Sequence, residues 1–223
     1  MKILIRPRRQ TETTHNPVVL RPATVTITSR PQRVLDFDVE TRPLHWYGGD
    51  FVSKEVTAIA WTWIGEPEPP TVHLLTHGTD PRDILRAFLV AYDRADLVCG
   101  HYIRGFDLPT IMAGLIEFRL PLLSKKWTHD TKLDLVKFTG LSKSQENLGS
   151  TLGLSHPKVP MNQASWRSAN RLEPEGIDAT RARVAGDVLQ NVEMRQKLLA
   201  LGYLSAPKLW EPRGADPLDP YVP

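Results

Sequence analysis

Apolar and polar positions along this chain first alternate with a period of two and later with a period near 3.6, so strands precede helices. In residues 34–41 (VLDFDVET), Leu35, Phe37 and Val39 fall on one side of a strand, and Asp36, Asp38 and Glu40 on the other. Residues 56–64 and 71–76 read as second and third strands, and their short connections imply an antiparallel meander. The first of those connections, residues 42–54, is a loop with Trp46, Tyr47 and the turn signal Gly48-Gly49. Asp80 and Pro81 then open a helix whose apolar stripe is Ile84, Leu85, Phe88, Leu89 and Tyr92.

From there strands and helices alternate. Residues 96–99 predict a short strand, and residues 108–118 a helix with Leu108, Ile111, Met112, Leu115 and Ile116 on one side. Residues 127–138 read as a strand passing into a helix capped by Asp130 or Thr131. Residues 142–145 (SKSQ) fit a capping box before a short helix in which Leu148 and Leu152 pack together and Gly153 provides the stop. Residues 156–174 read as irregular. The longest helix is expected over residues 178–201, with Val184, Val188, Val192 and Leu199 as its core stripe and Arg183, Asp187 and Asn191 on an adjoining face. Prolines 207, 212, 217, 220 and 223 predict an extended tail from residue 205, pinned by Trp210. A meander followed by strand and helix alternation implies a mixed α/β sheet with helices packed on it.

Length and charge refine the boundaries. The 223 residues suit one domain plus extensions, divided as a basic front (1–32), a main domain (33–204) and the proline-rich tail (205–223). Residues 1–33 carry seven Lys or Arg against one acid, so the net +3 of the chain is +6 at the front and −3 elsewhere. The front has two β-like runs, 2–5 and 24–28, and reads either as an added hairpin or as a solvated basic arm able to approach phosphates. No run of about 18 apolar residues can span a bilayer, and Arg6, Arg8 and Arg9 interrupt any secretory leader, so the expected location is the cytoplasm without membrane attachment. The single cysteine, Cys99, excludes internal disulfides and reads as a small buried hydrophobe. Dinucleotide, Walker and zincin motifs are absent, and His73 and His77 do not share a helix face. Trp61 and Trp63 share a strand face and read as core cover.

The candidate chemistry is acidic. Carboxylates crowded beside a hydrophobic core repel one another and lose hydration, so they take up protons, pair with bases or hold a cation. Taken singly, each acid has a plainer reading: the strand acids face water, Asp107 caps a helix, and Asp187 lies on a solvated helix face. Taken in order, Asp38-Val39-Glu40-Thr41, residues 103–109 (IRGFDLP) and Gly186-Asp187-Val188 resemble the three motifs of the DEDD superfamily. These are the DnaQ-like 3′-5′ exonucleases, and the nearest flavour is the proofreading domain of family B DNA polymerases. Residues 127–137 and the run Asn147-Leu148-Gly149-Ser150-Thr151-Leu152-Gly153-Leu154 followed by Lys158 resemble further segments of that family.

The resemblance implies a five-stranded RNase H-like sheet flanked by α-helices. It further implies that Asp38, Glu40, Asp107 and Asp187 are the catalytic and metal-binding carboxylates for two divalent ions, Mg²⁺ or Mn²⁺. Water would then cleave terminal phosphodiesters of single-stranded or frayed DNA, with RNA as an alternative substrate. Tyr102, Phe106, Arg183, Trp46 and His101 are the candidate substrate contacts, Arg183 for the fit of its planar fork to phosphate and Trp46 for stacking on single-stranded bases. A stand-alone nuclease serving a DNA polymerase in trans, in replication or repair, is the expected setting. Two positions depart from the family pattern. Tyr102 stands where an asparagine is usual, and Arg183 and Ala182 stand where a tyrosine or histidine orients the attacking water. His101, Tyr102 and His129 are substitutes for that role. A nucleic-acid-binding or replication-accessory module without turnover is the rival reading, favoured by Arg183.

Overall fold

The computed structural model describes residues 32–44, 53–137 and 140–212. The expectations for the basic front, for Trp46 and Tyr47, for Phe138 and for the end of the tail lie outside the described residues.

The early alternation produces three strands, β1 (Val34–Pro43), β2 (Lys54–Trp63) and β3 (Thr71–Leu74), each antiparallel to the one before. β1 and β2 run in register from Leu35 opposite Trp63 to Pro43 opposite Lys54, with a bulge between Glu40 and Thr41. Helix α1 (Pro81–Arg94) follows, its first amides served by the Asp80 side chain, which accepts from the Arg82 N–H. A helical crossover permits a parallel strand, and β4 (Leu97–Gly100) indeed lies parallel to β1. Helix α2 (Asp107–Glu117) and β5 (Lys126–Asp130) repeat the unit. Helices α3 (Gln145–Thr151), α4 (Gln163–Asn170) and α5 (Pro174–Ala200) complete the helical set among the described residues.

The sheet has six strands rather than five, in the order β3-β2-β1-β4-β5-β6. The additional one, β6 (Lys208–Trp210), comes from the stretch expected to be an extended tail and pairs antiparallel with β5. Its place at the sheet edge explains how it tolerates neighbouring prolines, which would break a central strand.

Two faces of the sheet are covered differently. Leu35, Phe37, Val39, Ile59 and Trp61 meet Ile84, Phe88, Tyr92, Leu108, Ile111 and Leu115 of α1 and α2 in the main core. On the opposite face Ala58 and Ala60 of β2 leave room for Val184 and Val188 of α5. A third cluster joins Leu135 and Leu148 to Met194 and Leu198. The acidic side of β1 therefore faces α5 and not bulk water. Asp36 is fully buried there, its Oδ2 accepting from Asn191 Nδ2 at 2.6 Å and from Cys99 Sγ at 3.1 Å.

Several local expectations are corrected. Ile116 is 62 % exposed and Leu199 is exposed, so Met194 and Leu198 take the core places assigned to the latter's stripe. The residues after Asp130 form a turn, in which its Oδ1 accepts the Lys132 and Leu133 amides. Cap and turn signals are alike at this point because both need a short acceptor beside free N–H groups. Residues 163–170, read as irregular, form α4, capped by Asn162, whose Oδ1 accepts from the Ser165 N–H at 2.8 Å. It lies so close to α5 that a side chain at Gly176 would strike backbone atoms of Ser168 and Ala169 at 2.2 Å. Among the described residues no helix is long and apolar enough to cross a membrane.

Candidate functional site

Short β4 makes the site possible. It pairs with β1 only from Val34 to Asp36, so the C-terminal half of β1 has an open edge. Where β4 ends, Gly100 lets the chain pass close to β1: a Cβ there would sit 2.3 Å from Ile103 Cγ2 and 2.6 Å from the Phe37 carbonyl. The turn after it delivers α2, and Asp107 at that helix's first position accepts the free Val39 N–H through Oδ1 at 3.1 Å. The plainer reading of Asp107 as a helix cap thus gives way to a contact with a strand amide.

From the other side, α5 lays Asp187 against β1, 3 % exposed. Carboxylate oxygens of Asp38, Glu40 and Asp187 all lie within 4.8 Å of one another. Asp107 lines the same open cleft of about 300 Å³, together with His101, Tyr102, Phe106, Lys132, Gln145, Lys158 and Arg183. Four acids distant in sequence therefore converge.

Their electrostatics is that of crowded carboxylates with reduced access to solvent. Burial, followed by the charges of Asp107, Asp187 and Glu40, pushes the Asp38 carboxyl well above the usual carboxylate range. Burial lifts Glu40 to about 7, against the opposing pull of Arg183. Asp107 is raised to about 8, again chiefly by burial, although the Val39 N–H favours its charged form.

Two side-chain cations enter the cluster. Lys158 Nζ lies 2.9 Å from Asp187 Oδ2 and donates to Gln145 Oε1 at 3.0 Å; Gln145 in turn donates to the Asp187 carbonyl at 2.8 Å. Arg183 Nε lies 3.0 Å from Asp187 Oδ2 and 3.3 Å from Glu40 Oε1, a charge contact without hydrogen-bond alignment, while its Nη1 donates to the Val159 carbonyl. Asp187 Oδ1 remains buried without a hydrogen-bond partner among the described residues. A buried acceptor left in that state is costly. Hard divalent cations prefer oxygen donors of this kind, so Asp38, Glu40 and Asp187 can bind a metal ion.

The remaining candidates sort by position. Tyr102, with φ of 71°, sits at the mouth of the cleft under Lys132, whose Nζ is 4.0 Å from the ring centroid. Phe106 lines the cleft and stacks with Lys54, whose Nζ is 4.8 Å from its ring. His101 Nδ1 lies 2.9 Å from Thr131 Oγ1, and that hydroxyl donates its proton to Asn191 Oδ1 at 2.6 Å. Nδ1 must therefore carry the ring hydrogen. Burial, with Lys132 and Lys158 nearby, lowers this histidine to about 4 and keeps it neutral. His129 does not line the cleft; it is buried between Arg195 Nε at 3.3 Å and the Ser205 carbonyl at 3.0 Å.

A supporting layer escaped the reading of the sequence. Buried Asp130 accepts the amides of Tyr102 at 3.0 Å and Arg104 at 3.1 Å, fixing the turn that precedes Asp107. Arg104 forks onto Asp134 at 2.6 and 2.9 Å beneath it. The Asp130-x-x-x-Asp134 spacing was visible, but its partners lie on another strand-to-helix turn and carry no local signal. Gln145 and Asn191 were likewise legible only as a helix start and a helix face.

No family model matches the chain, and no curated protein matches it. Among solved structures, the family B DNA polymerase of the hyperthermophilic archaeon Pyrobaculum calidifontis is similar in fold, with a TM-score of 0.57 and 18 % sequence identity. The match covers 76 % of this chain and 25 % of that polymerase, so the chain spans about a quarter of the structure it resembles. At this identity the likeness is one of fold.

Proposed function

We propose that the chain is a metal-dependent 3′-5′ exonuclease with an RNase H-like domain, hydrolysing terminal phosphodiesters of single-stranded or frayed DNA. The observation that carries this reading is the meeting of Asp38, Glu40 and Asp187 within 4.8 Å, with Asp107 on the same cleft, in the chain order of the three DEDD motifs. Similarity in fold to part of a family B DNA polymerase supports the same reading, and the choice of DNA rests on it.

The fit to Mg²⁺ or Mn²⁺ rests on the donor set, which is all carboxylate, and on the orphaned Asp187 Oδ1. A divalent ion held there supplies a lowered pKa for water and charge to offset the developing phosphoryl oxyanion. The protein's own groups do the rest. Asp38, Glu40, Asp107 and Asp187 would hold the cation, and Lys158 fixes Asp187 in place through a partly buried ion pair. Tyr102 and Phe106 line the cleft with Lys132 and Lys54 lying over their rings, an aromatic and cationic rim suited to a single strand's phosphates and bases. His101, neutral and anchored by its Nδ1–H donating to Thr131, adds no charge to the cleft.

A second reading, a binding module without turnover, is favoured by Arg183, which contacts two of the acids and cannot serve as a base. Incubation of a 5′-labelled oligonucleotide with the protein and Mn²⁺ separates the two. The nuclease yields a ladder of shortened products that Asp38→Ala abolishes; the binder leaves full-length oligonucleotide with a mobility shift.

A further inference from the structure

We infer that Arg183 takes the place of one of the two divalent ions that four clustered carboxylates ordinarily invite, so that the centre binds a single ion. The inference rests on the metal-dependent reading above and concerns how many ions the acids can take.

The guanidinium is aimed into the cluster by its own helix. Arg183 and Asp187 are four residues apart on α5, so helix geometry sets one beside the other. Its Nη1 bond to the Val159 carbonyl holds the group from behind, and its side chain is 15 % exposed. From this position Nε lies against Glu40 Oε1 and Asp187 Oδ2, two oxygens that a second ion would need. Lys158 claims Asp187 Oδ2 as well. A guanidinium does not release its proton at accessible pH, so it cannot make way by becoming neutral.

What is left matches one ion. The unpartnered acceptor is Asp187 Oδ1, Asp38 offers a carboxylate oxygen within 4.8 Å of Asp187, and Asp107 lines the same cleft. Four carboxylates less two fixed side-chain cations leave two negative charges, the complement of one divalent cation. Two ions roughly 4 Å apart would each need their own oxygens besides a shared one. Here Arg183 stands on the shared ground between Glu40 and Asp187, with one positive charge in place of an ion's two and without an ion's ability to coordinate and acidify water.

Counting bound Mn²⁺ tests this without reference to turnover. The full chain is titrated with MnCl₂ by isothermal calorimetry and, in parallel, free Mn²⁺ is read from its electron paramagnetic resonance signal. The wild type is expected to bind about one ion per chain, Arg183→Lys to stay at about one, and Arg183→Gln and Arg183→Tyr to rise about twofold. Two ions on the wild type overturn the inference while leaving the metal-dependent reading intact. One ion on every variant overturns the role of Arg183. No ion on any of them, with folding verified by circular dichroism, removes the metal-dependent reading itself. The wild-type count stands as a test even where a substitution prevents folding.

Discussion

Strand β1 serves two masters with alternate residues, and its two sides make opposite demands. Leu35, Phe37 and Val39 enter an apolar core against α1 and α2 that asks only for volume. Asp36, fully buried, and Asp38 and Glu40, half-buried on the cleft, face α5 on a side that asks for polar partners and charge compensation. The apolar side is stabilised by burial itself. The acidic side is destabilised by burial and is held together by its partners: hydrogen bonds from Asn191 and Cys99 for Asp36, the charges of Arg183 and Lys158 for Glu40 and Asp187, and in the proposed holo form a divalent ion. One side should therefore be indifferent to ions and pH, and the other governed by them.

The largest expected effect belongs to the apolar side. Phe37→Ala empties a site where the ring lies 4.9 Å from that of Phe88 and should cost about 3–5 kcal/mol in urea denaturation. That loss should be the same with and without Mn²⁺; a loss that changes with the ion would mean the two sides are not separable. Next in size is the response of the acidic side. Mn²⁺ at a hundredfold excess over its dissociation constant should stabilise the wild type by about 2.7 kcal/mol. Phe37→Ala should keep that increment, and Asp187→Asn should lose it, as read by thermal melts.

The acidic side should also show a pH slope. Burial raises Glu40 to about 7 and Asp107 to about 8, above their ordinary values of 4.5 and 3.8. Raised acids bind more protons folded than unfolded, so their contribution is fully present below the unfolded pKa and is lost as pH rises through the folded one. Ion-free protein should therefore lose stability between pH about 4 and 8, with the slope shared by Phe37→Ala and flattened in Asp107→Asn. An ion-free protein that grows more stable across that window would contradict the assignment of the strain to these carboxyls.

The same two sides explain what the sequence revealed. Period two in β1 placed the acids on one face, and the spacing of Arg183, Asp187 and Asn191 placed them on one ridge of α5. That the two ridges face each other was not legible, because it depends on Ala58 and Ala60 being small enough to admit Val184 and Val188. Periodicity also overreached at Ile116 and Leu199, where the apolar stripe outruns what covers it. Helix α4 has little apolar rhythm to detect; its seat depends on the missing side chain at Gly176. Strand β6 was hidden by prolines that only an edge position tolerates. The four acids of the candidate site were recognised through resemblance, but their counter-charges were less visible. Lys158 and Gln145 reach Asp187 from separate elements, a property of the fold and not of any local pattern.

Anomalous scattering from crystals soaked in MnCl₂ bears most directly on the acidic cleft. An anomalous peak should appear in contact with the carboxylates of Asp38 and Asp187, with Arg183 still against Glu40. Ordered, empty carboxylates at millimolar Mn²⁺ would contradict that expectation.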